Sequence, residues 1–182
     1  MMRSVGFPPV AAHGARLLIL GSLPGMRSLQ AQEYYAQPRN AFWPLMNSLF
    51  GVDAHASYGE RLRGLNDRAV ALWDVCGSAR RPGSLDQKIE RHSVRTNDFE
   101  RFFETHRDIA LICFNGATAA NLYRRLVLPG LSARAAIIPA AQLPSTSPAH
   151  AALTFERKRE IWRPALAPFL DAPTLPRAAK PR

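Results

Sequence analysis

The side chains of this sequence best equipped for chemistry are amides and hydroxyls set in glycine- and proline-rich turns. Gly21-Ser22-Leu23-Pro24-Gly25 breaks an apolar run. Its composition makes a tight turn whose backbone N–H groups can approach an anion or a flat ligand. Asn40 follows Tyr34-Tyr35 and Pro38-Arg39 and stands just before Ala41-Phe42-Trp43. An amide there can serve a reaction, or it can do no more than cap the helix that follows. Asn115-Gly116 is either a turn or part of a pocket. Ser145, Thr146 and Ser147 lie in Leu143-Pro144-Ser145-Thr146-Ser147-Pro148-Ala149-His150 and offer hydroxyl donors in a proline-stiffened loop. His150 beside them suits phosphate or a developing negative charge, although hydroxyls in such loops also close their own turns.

Several chemistries have no support. The run at 21–25 lacks the glycine spacing of a dinucleotide fingerprint, and no GKS or GKT marks a nucleotide phosphate loop. Neither Ser145 nor Ser147 sits in a G-x-S-x-G elbow. The five histidines show no metal-ligand spacing, and Asp53, Asp67, Asp74, Asp86 and Asp98 form no repeated carboxylate cluster. No metal site and no cofactor is therefore expected. Asp74, inside an apolar stretch, can face a cleft or accept from neighbouring loop amides. Cys76 and Cys113 flank or enter apolar runs and read as small buried thiols.

The elements that must position these groups alternate. Strands are expected at about 16–20, 70–76, 109–114 and 135–139, the first being apolar enough to be buried on both faces. Residues 28–36 form a short helix or an ordered loop, and helices are expected at 41–50, 58–65, 98–106, after Asn115-Gly116-Ala117-Thr118 as far as Leu126, and 155–166, with Pro164 able to cut the last one short. Phe99, Phe102 and Phe103 supply the inner side of the helix at 98–106. Strand, loop and helix thus alternate four times, which is the pattern of a three-layer α/β/α domain with a central, mainly parallel, four-stranded sheet. The candidate segments at 21–25, 77–85, 115–118 and 143–150 all follow strand ends, the edge at which open α/β sheets bind ligands.

The 182 residues suit one domain at 16–170, preceded by an irregular lead-in at 1–15 and followed by a basic Pro/Ala-rich tail at 171–182. The charge of +10, from 24 Lys plus Arg against 14 Asp plus Glu, favours a polyanionic partner and is spread along the chain. Arg39, Arg80 and Arg81 lie in loops where they can touch phosphate. With no signal-peptide core, no apolar stretch of membrane-spanning length and only two cysteines, a cytoplasmic, monomeric protein without membrane association is expected.

Taken together, the motif at 21–25, Tyr34-Tyr35-Ala36-Gln37-Pro38-Arg39-Asn40-Ala41-Phe42-Trp43, the segment 74–89 with Gly83-Ser84-Leu85-Asp86, Phe114-Asn115-Gly116 and Leu143 to His150 resemble the uracil-DNA glycosylase superfamily. Within it they look most like the DNA-deoxyinosine, or hypoxanthine-DNA, glycosylase branch, over roughly residues 16–166. The resemblance implies a monofunctional glycosylase that removes deaminated bases from DNA, hypoxanthine first. A uracil or mismatch-specific uracil/thymine enzyme is the alternative, and a noncatalytic nucleic-acid-binding protein a more distant one. Leu23 stands where mismatch-specific relatives carry an Asn, and it cannot orient water. The Asn of the hypoxanthine branch falls on Asn40, which the resemblance makes the catalytic residue, orienting water towards C1′ and favouring the oxocarbenium-like transition state. It further implies a base pocket from Gly21, Ser22, Leu23, Pro24, Gly25, Tyr34, Tyr35, Phe42, Phe114 and Asn115. DNA contacts would come from Ser28, Arg39, Arg80, Arg81, Ser145, Thr146, Ser147 and His150, around one flipped, deaminated nucleotide.

Overall fold

A computed structural model describes residues 3–170. The tail expected at 171–182 lies outside them. Strands β1 (Arg3–Val5), β2 (Leu17–Gly21), β3 (Val70–Asp74), β4 (Cys76–Arg80), β5 (Arg95–Thr96), β6 (Leu111–Asn115) and β7 (Ala140–Leu143) make two sheets. The larger has the order β3-β2-β6-β7 with every pairing parallel. In-register pairing brings Gly21 of β2 opposite Asp74 of β3, and Asn115 of β6 opposite Leu143 of β7, so four strand ends share one edge. β2 is interior, consistent with its unbroken apolarity.

Helices cover both faces. On one lie α4 (Phe99–Thr105) and α5 (Ala117–Leu122), whose Phe99, Phe102, Phe103, Ala119, Ala120 and Leu122 pack with Leu20, Trp73 and Phe114 of the strands. On the other, α2 (Phe42–Phe50) and α7 (Phe155–Leu170) bury Phe42, Leu45, Met46, Trp162 and Leu166 against Leu17, Ile19, Val70, Leu72 and Cys113. The period of two along each strand separates the clusters: even-numbered residues of β2 face the α4/α5 layer and odd-numbered ones the α2/α7 layer. The α/β sandwich with its four-stranded parallel sheet is the architecture expected. Short helices α1 (Met26–Ala31), α3 (Tyr58–Asp67) and α6 (Ala133–Ala136) complete the set.

Several elements differ from expectation. The apolar run Ala135–Pro139 is not a strand. Ser132 caps a helical turn there by accepting the Ala135 N–H at 3.4 Å, and the fourth strand begins only after Pro139. Proline has no N–H for a ladder, and Ile137 faces solvent. The first residues are not wholly irregular, because β1 pairs antiparallel with β4, which also pairs with β5. Residues 77–80, expected as the start of a loop, therefore join Cys76 in the centre of a small sheet and shorten that loop to 81–85. The helix beginning at Ala117 changes to a π turn at Tyr123–Val127. Helix α7 continues past Pro164 through Pro168; both lie on its exposed side, so the carbonyls they leave unpaired meet water while Trp162, Leu166 and Phe169 stay inside. Among the described residues, no helix is long and apolar enough to cross a membrane.

Candidate active site

Gly21, Asp74 and Asn115 end three neighbouring strands and project to the α2/α7 side of the sheet edge. Tyr35 closes over them. A Cβ on Gly21 would sit 2.3 Å from Asp74 Oδ1 and 3.5 Å from the Tyr35 hydroxyl, so only glycine admits both groups. Tyr35 holds a left-handed backbone (φ +56°), uncommon for a residue with a side chain, and its ring stacks on Phe42 at 3.8 Å between centroids. The hydroxyl reaches Asn115. Burial, with the charge of Asp74, raises the Tyr35 phenol above its ordinary value, so it is a neutral donor or acceptor.

Asn115 is held from a second side. Its Oδ1 accepts the Thr146 N–H at 2.8 Å and its Nδ2 donates to Thr146 Oγ1 at 2.9 Å, a two-point clasp between β6 and the loop at 143–150. The Ala41 N–H in turn donates to the Thr146 carbonyl at 3.0 Å, which fixes the segment carrying Asn40 against the same loop. Asn40 Oδ1 accepts the Phe42 N–H at 3.0 Å at the start of α2. The N-cap position is Ala41, so this bond is an Asx turn leading into α2 that satisfies its first N–H and fixes the orientation of the amide. Asn40 is half-buried and lines a cleft of about 250 Å³ with Gln37, Trp43, His55 and Arg61. Tyr34 lies beneath, its carbonyl accepting the Trp43 indole N–H at 3.0 Å and its N–H donating to the Tyr58 hydroxyl at 3.0 Å.

The loop at 143–150 is stapled from below. Trp162 Nε1 donates to the Pro144 carbonyl and Lys158 Nζ to that of His150, each at 3.0 Å. Ser145 Oγ accepts the Ser147 N–H, and Ser147 Oγ the Ala149 N–H, both at 3.2 Å. These are the turn-closing bonds that the loop composition allows. Each hydroxyl accepts in these bonds and keeps its proton free to donate. Gly116, at φ +104° with a would-be Cβ 3.0 Å from that of Ser145, lets the β6 turn pass under the loop.

Other expected site residues lie elsewhere. Phe114 points to the α4/α5 side, 1% exposed and packed on Tyr123, so it offers no face to a ligand; Leu23 is in the same cluster. Ser22 is buried and bonds to Asp86. Pro24 and Gly25 complete the turn rather than line the floor: the Pro24 carbonyl is bonded to Arg81, and Gly25 precedes α1. Ser28, expected on phosphate, is buried, with its Oγ accepting the Ala36 N–H at 3.2 Å. Thr146 is 1% exposed and fully engaged by Asn115. Arg81 is not a surface cation. It is 4% exposed, and its guanidinium donates to the carbonyls of Leu23 (3.0 Å), Gly83 (3.1 Å) and Pro24, with Asp86 at 3.5 Å. Arg39 and Arg80 are exposed.

The bonds of Arg81 give a stability expectation. Arg81→Met leaves three carbonyls without their donor, so unfolding should become easier by about 3 kcal/mol. Denaturant titration tests this, and unaltered stability would contradict the buried role of Arg81.

Asp74 is the group whose place the sequence left open. It is 3% exposed; burial first, then the neighbouring charge of Asp86, pushes its carboxyl up to about 7, with Arg81 and Tyr34 opposing. An Asp closing an apolar strand opposite a glycine is the signal that marks it. Among the described residues, no group of three His, Cys, Asp or Glu side chains is placed to hold a metal ion.

The comparisons agree with this geometry. Residues 8–166 match the model of the uracil DNA glycosylase superfamily. A hypoxanthine DNA glycosylase of Methanosarcina barkeri is 38% identical over 116 residues, 63% of this chain and 72% of the relative. One of Methanosarcina acetivorans is 37% identical over 135 residues, 74% and 83% of the two chains. A solution NMR structure of a Methanosarcina acetivorans protein assigned to the uracil DNA glycosylases superposes with a TM-score of 0.71 at 34% identity, covering 87% of this chain and 94% of that one. With the strand-end floor, the clasped loop and a family match over most of its length, the chain belongs to the uracil DNA glycosylase superfamily.

Proposed function

We propose that this protein hydrolyses the N-glycosidic bond of deaminated bases in DNA, hypoxanthine before uracil, and so initiates base excision repair. Membership of the superfamily supports the reaction class, and two relatives named hypoxanthine DNA glycosylase support the substrate. The observation that carries the reading is the position of Asn40. Its amide is oriented by the Phe42 N–H, it lines a cleft with Tyr35, and its neighbour Ala41 is bonded to the Thr146–Asn115 clasp, which supports a water-holding role near the strand ends.

In this reading the flipped base enters over Gly21, against Tyr35 and Asn115. Asn40 holds water towards C1′, and its dipole favours the positive charge that develops on the sugar as the base departs. Arg39, Arg80, the hydroxyls of Ser145 and Ser147, and His150 meet flanking phosphates. The protein acts as a monomer through the domain at 16–170, in the cytoplasm and on the nucleoid when bound, with water as nucleophile and no metal or organic cofactor.

Purified protein should convert deoxyinosine in an oligonucleotide to an alkali-labile abasic site, more slowly convert deoxyuridine, and retain activity after prolonged chelation. Unchanged strands with both lesions, from protein shown to bind DNA, would reject the enzyme class. Recovery of chelated activity by one divalent ion would reject the metal-free mechanism. Faster release of uracil would favour the second reading, a uracil-preferring enzyme, which the Methanosarcina acetivorans structure assigned to the uracil DNA glycosylases supports.

A further inference from the structure

We propose that Asp74 is the residue that separates a deaminated base from its parent, by accepting the ring N–H that deamination creates. The inference rests on the glycosylase reading above and adds a base-reading group to it. Deamination of adenine turns N1 from an acceptor into an N–H donor, and deamination of cytosine does the same at N3. A pocket that must accept hypoxanthine or uracil while refusing adenine or cytosine therefore needs an acceptor that cannot become a donor at that position. A carboxylate meets this requirement once ionised, as Asp74 is above about pH 7, and a carboxamide free to turn its NH2 towards the parent base does not.

Asp74 is placed for that task. It ends β3 opposite Gly21, and the missing Cβ of Gly21 admits its Oδ1 to the pocket floor below the Tyr35 hydroxyl. Its Oδ2 is buried and has no hydrogen-bond partner. The Tyr34 hydroxyl approaches closely enough to favour the charged form, yet is itself buried without a bond of normal geometry. Arg81, the neighbouring cation, spends its donors on the carbonyls of Leu23, Gly83 and Pro24 and on Asp86. A buried carboxylate oxygen left open is costly, and an incoming N–H would satisfy it. Nothing in the packing of the sheet requires an acid here: the odd-numbered β2 residues and even-numbered β3 residues that line the same face are Leu17, Ile19, Val70 and Leu72.

The test compares binding, at pH 8 where the Asp74 carboxyl is ionised, of oligonucleotides carrying deoxyinosine or deoxyadenosine at one position, together with single-turnover base release from the former. Wild-type protein should prefer deoxyinosine by about tenfold to a hundredfold, the value of one hydrogen bond to a charged group. In Asp74→Asn, which keeps the shape and one acceptor oxygen, that preference should fall by about tenfold, chiefly through tighter binding of deoxyadenosine. A purely structural Asp74 would weaken both ligands together and leave the ratio in place. An unchanged ratio in Asp74→Asn, or no preference in the wild type, overturns the proposal. Wild-type protein that prefers deoxyinosine in binding but releases no base would refute the glycosylase reading while leaving the role of Asp74 standing.

Discussion

Replacing Asn40 with alanine is expected to slow single-turnover release of hypoxanthine by about a hundredfold or more, the cost of removing one preorganised polar group from a transition state. Affinity for DNA should change little, since the exposed cations and loop hydroxyls are untouched. The substitution also removes the acceptor for the Phe42 N–H. That loss is about 1 kcal/mol for one hydrogen bond at the helix start and lowers Tm by about 2–4 °C in a chain of this size. The two effects have different sizes and are separable. Asn40→Ser retains a small acceptor at the helix start, so its stability should recover while base release stays slow. Release that recovers with the acceptor would make Asn40 a structural residue. Near-normal release in a folded Asn40→Ala would remove it from the mechanism.

Asp74→Asn should yield a protein more stable than the wild type above neutral pH. The folded carboxyl is raised from 3.8 to about 7, chiefly by burial and then by the charge of Asp86, with Arg81 and Tyr34 opposing. Between these values the folded state binds the proton more tightly than the unfolded chain does. The stabilisation from Asp74 is therefore fully present below about pH 4, declines as pH rises towards 7, and is absent above it. A non-titrating amide removes that decline. Relative to wild type, Asp74→Asn should gain little at pH 4, between about 1 and 2 kcal/mol at pH 5 and on the order of 4 kcal/mol at pH 8, the last equivalent to about 8–16 °C in Tm. Thermal unfolding of both proteins at pH 5 and pH 8 decides the matter, and an equal difference at the two pH values contradicts it. A gain in stability alongside poorer discrimination is what a strained binding group produces, since its open oxygen costs the folded protein free energy until a ligand meets it.

Local pattern and tertiary structure contributed different things. The apolar run at 17–20, the turn at 21–25 and the helical spacing of Phe42, Leu45, Met46 and Leu49 were legible because burial on two faces, or on one stripe, leaves its period in the chain. The alternation of such segments was enough for a parallel α/β sandwich, and the turns after the strands indicated the edge where a site should lie. The run at 135–139 misled because a short apolar stretch has no period long enough to tell a strand from a capped turn beside proline.

At the site, Asn40 and Asn115 could be singled out, but the partners of Ser28, Arg81 and Thr146 could not. These side chains are polar and lie in loops, which by type alone suggests a surface; their acceptors and donors come from residues 8, 58 and 31 positions away. Phe114 and Asn115 show the same limit in one step. They are adjacent in sequence, yet the pleat sends the ring into the α4/α5 core and the amide to the pocket floor, and only pairing with β2 and β7 establishes which goes where. The sequence by itself determined the first three strands of the parallel sheet and most of the helices beside them, because each leaves its period in neighbouring residues along the chain. Tertiary structure decided that Gly21, Asp74 and Asn115 share one floor and that Arg81 faces inward, because register and burial depend on strands far apart in the chain.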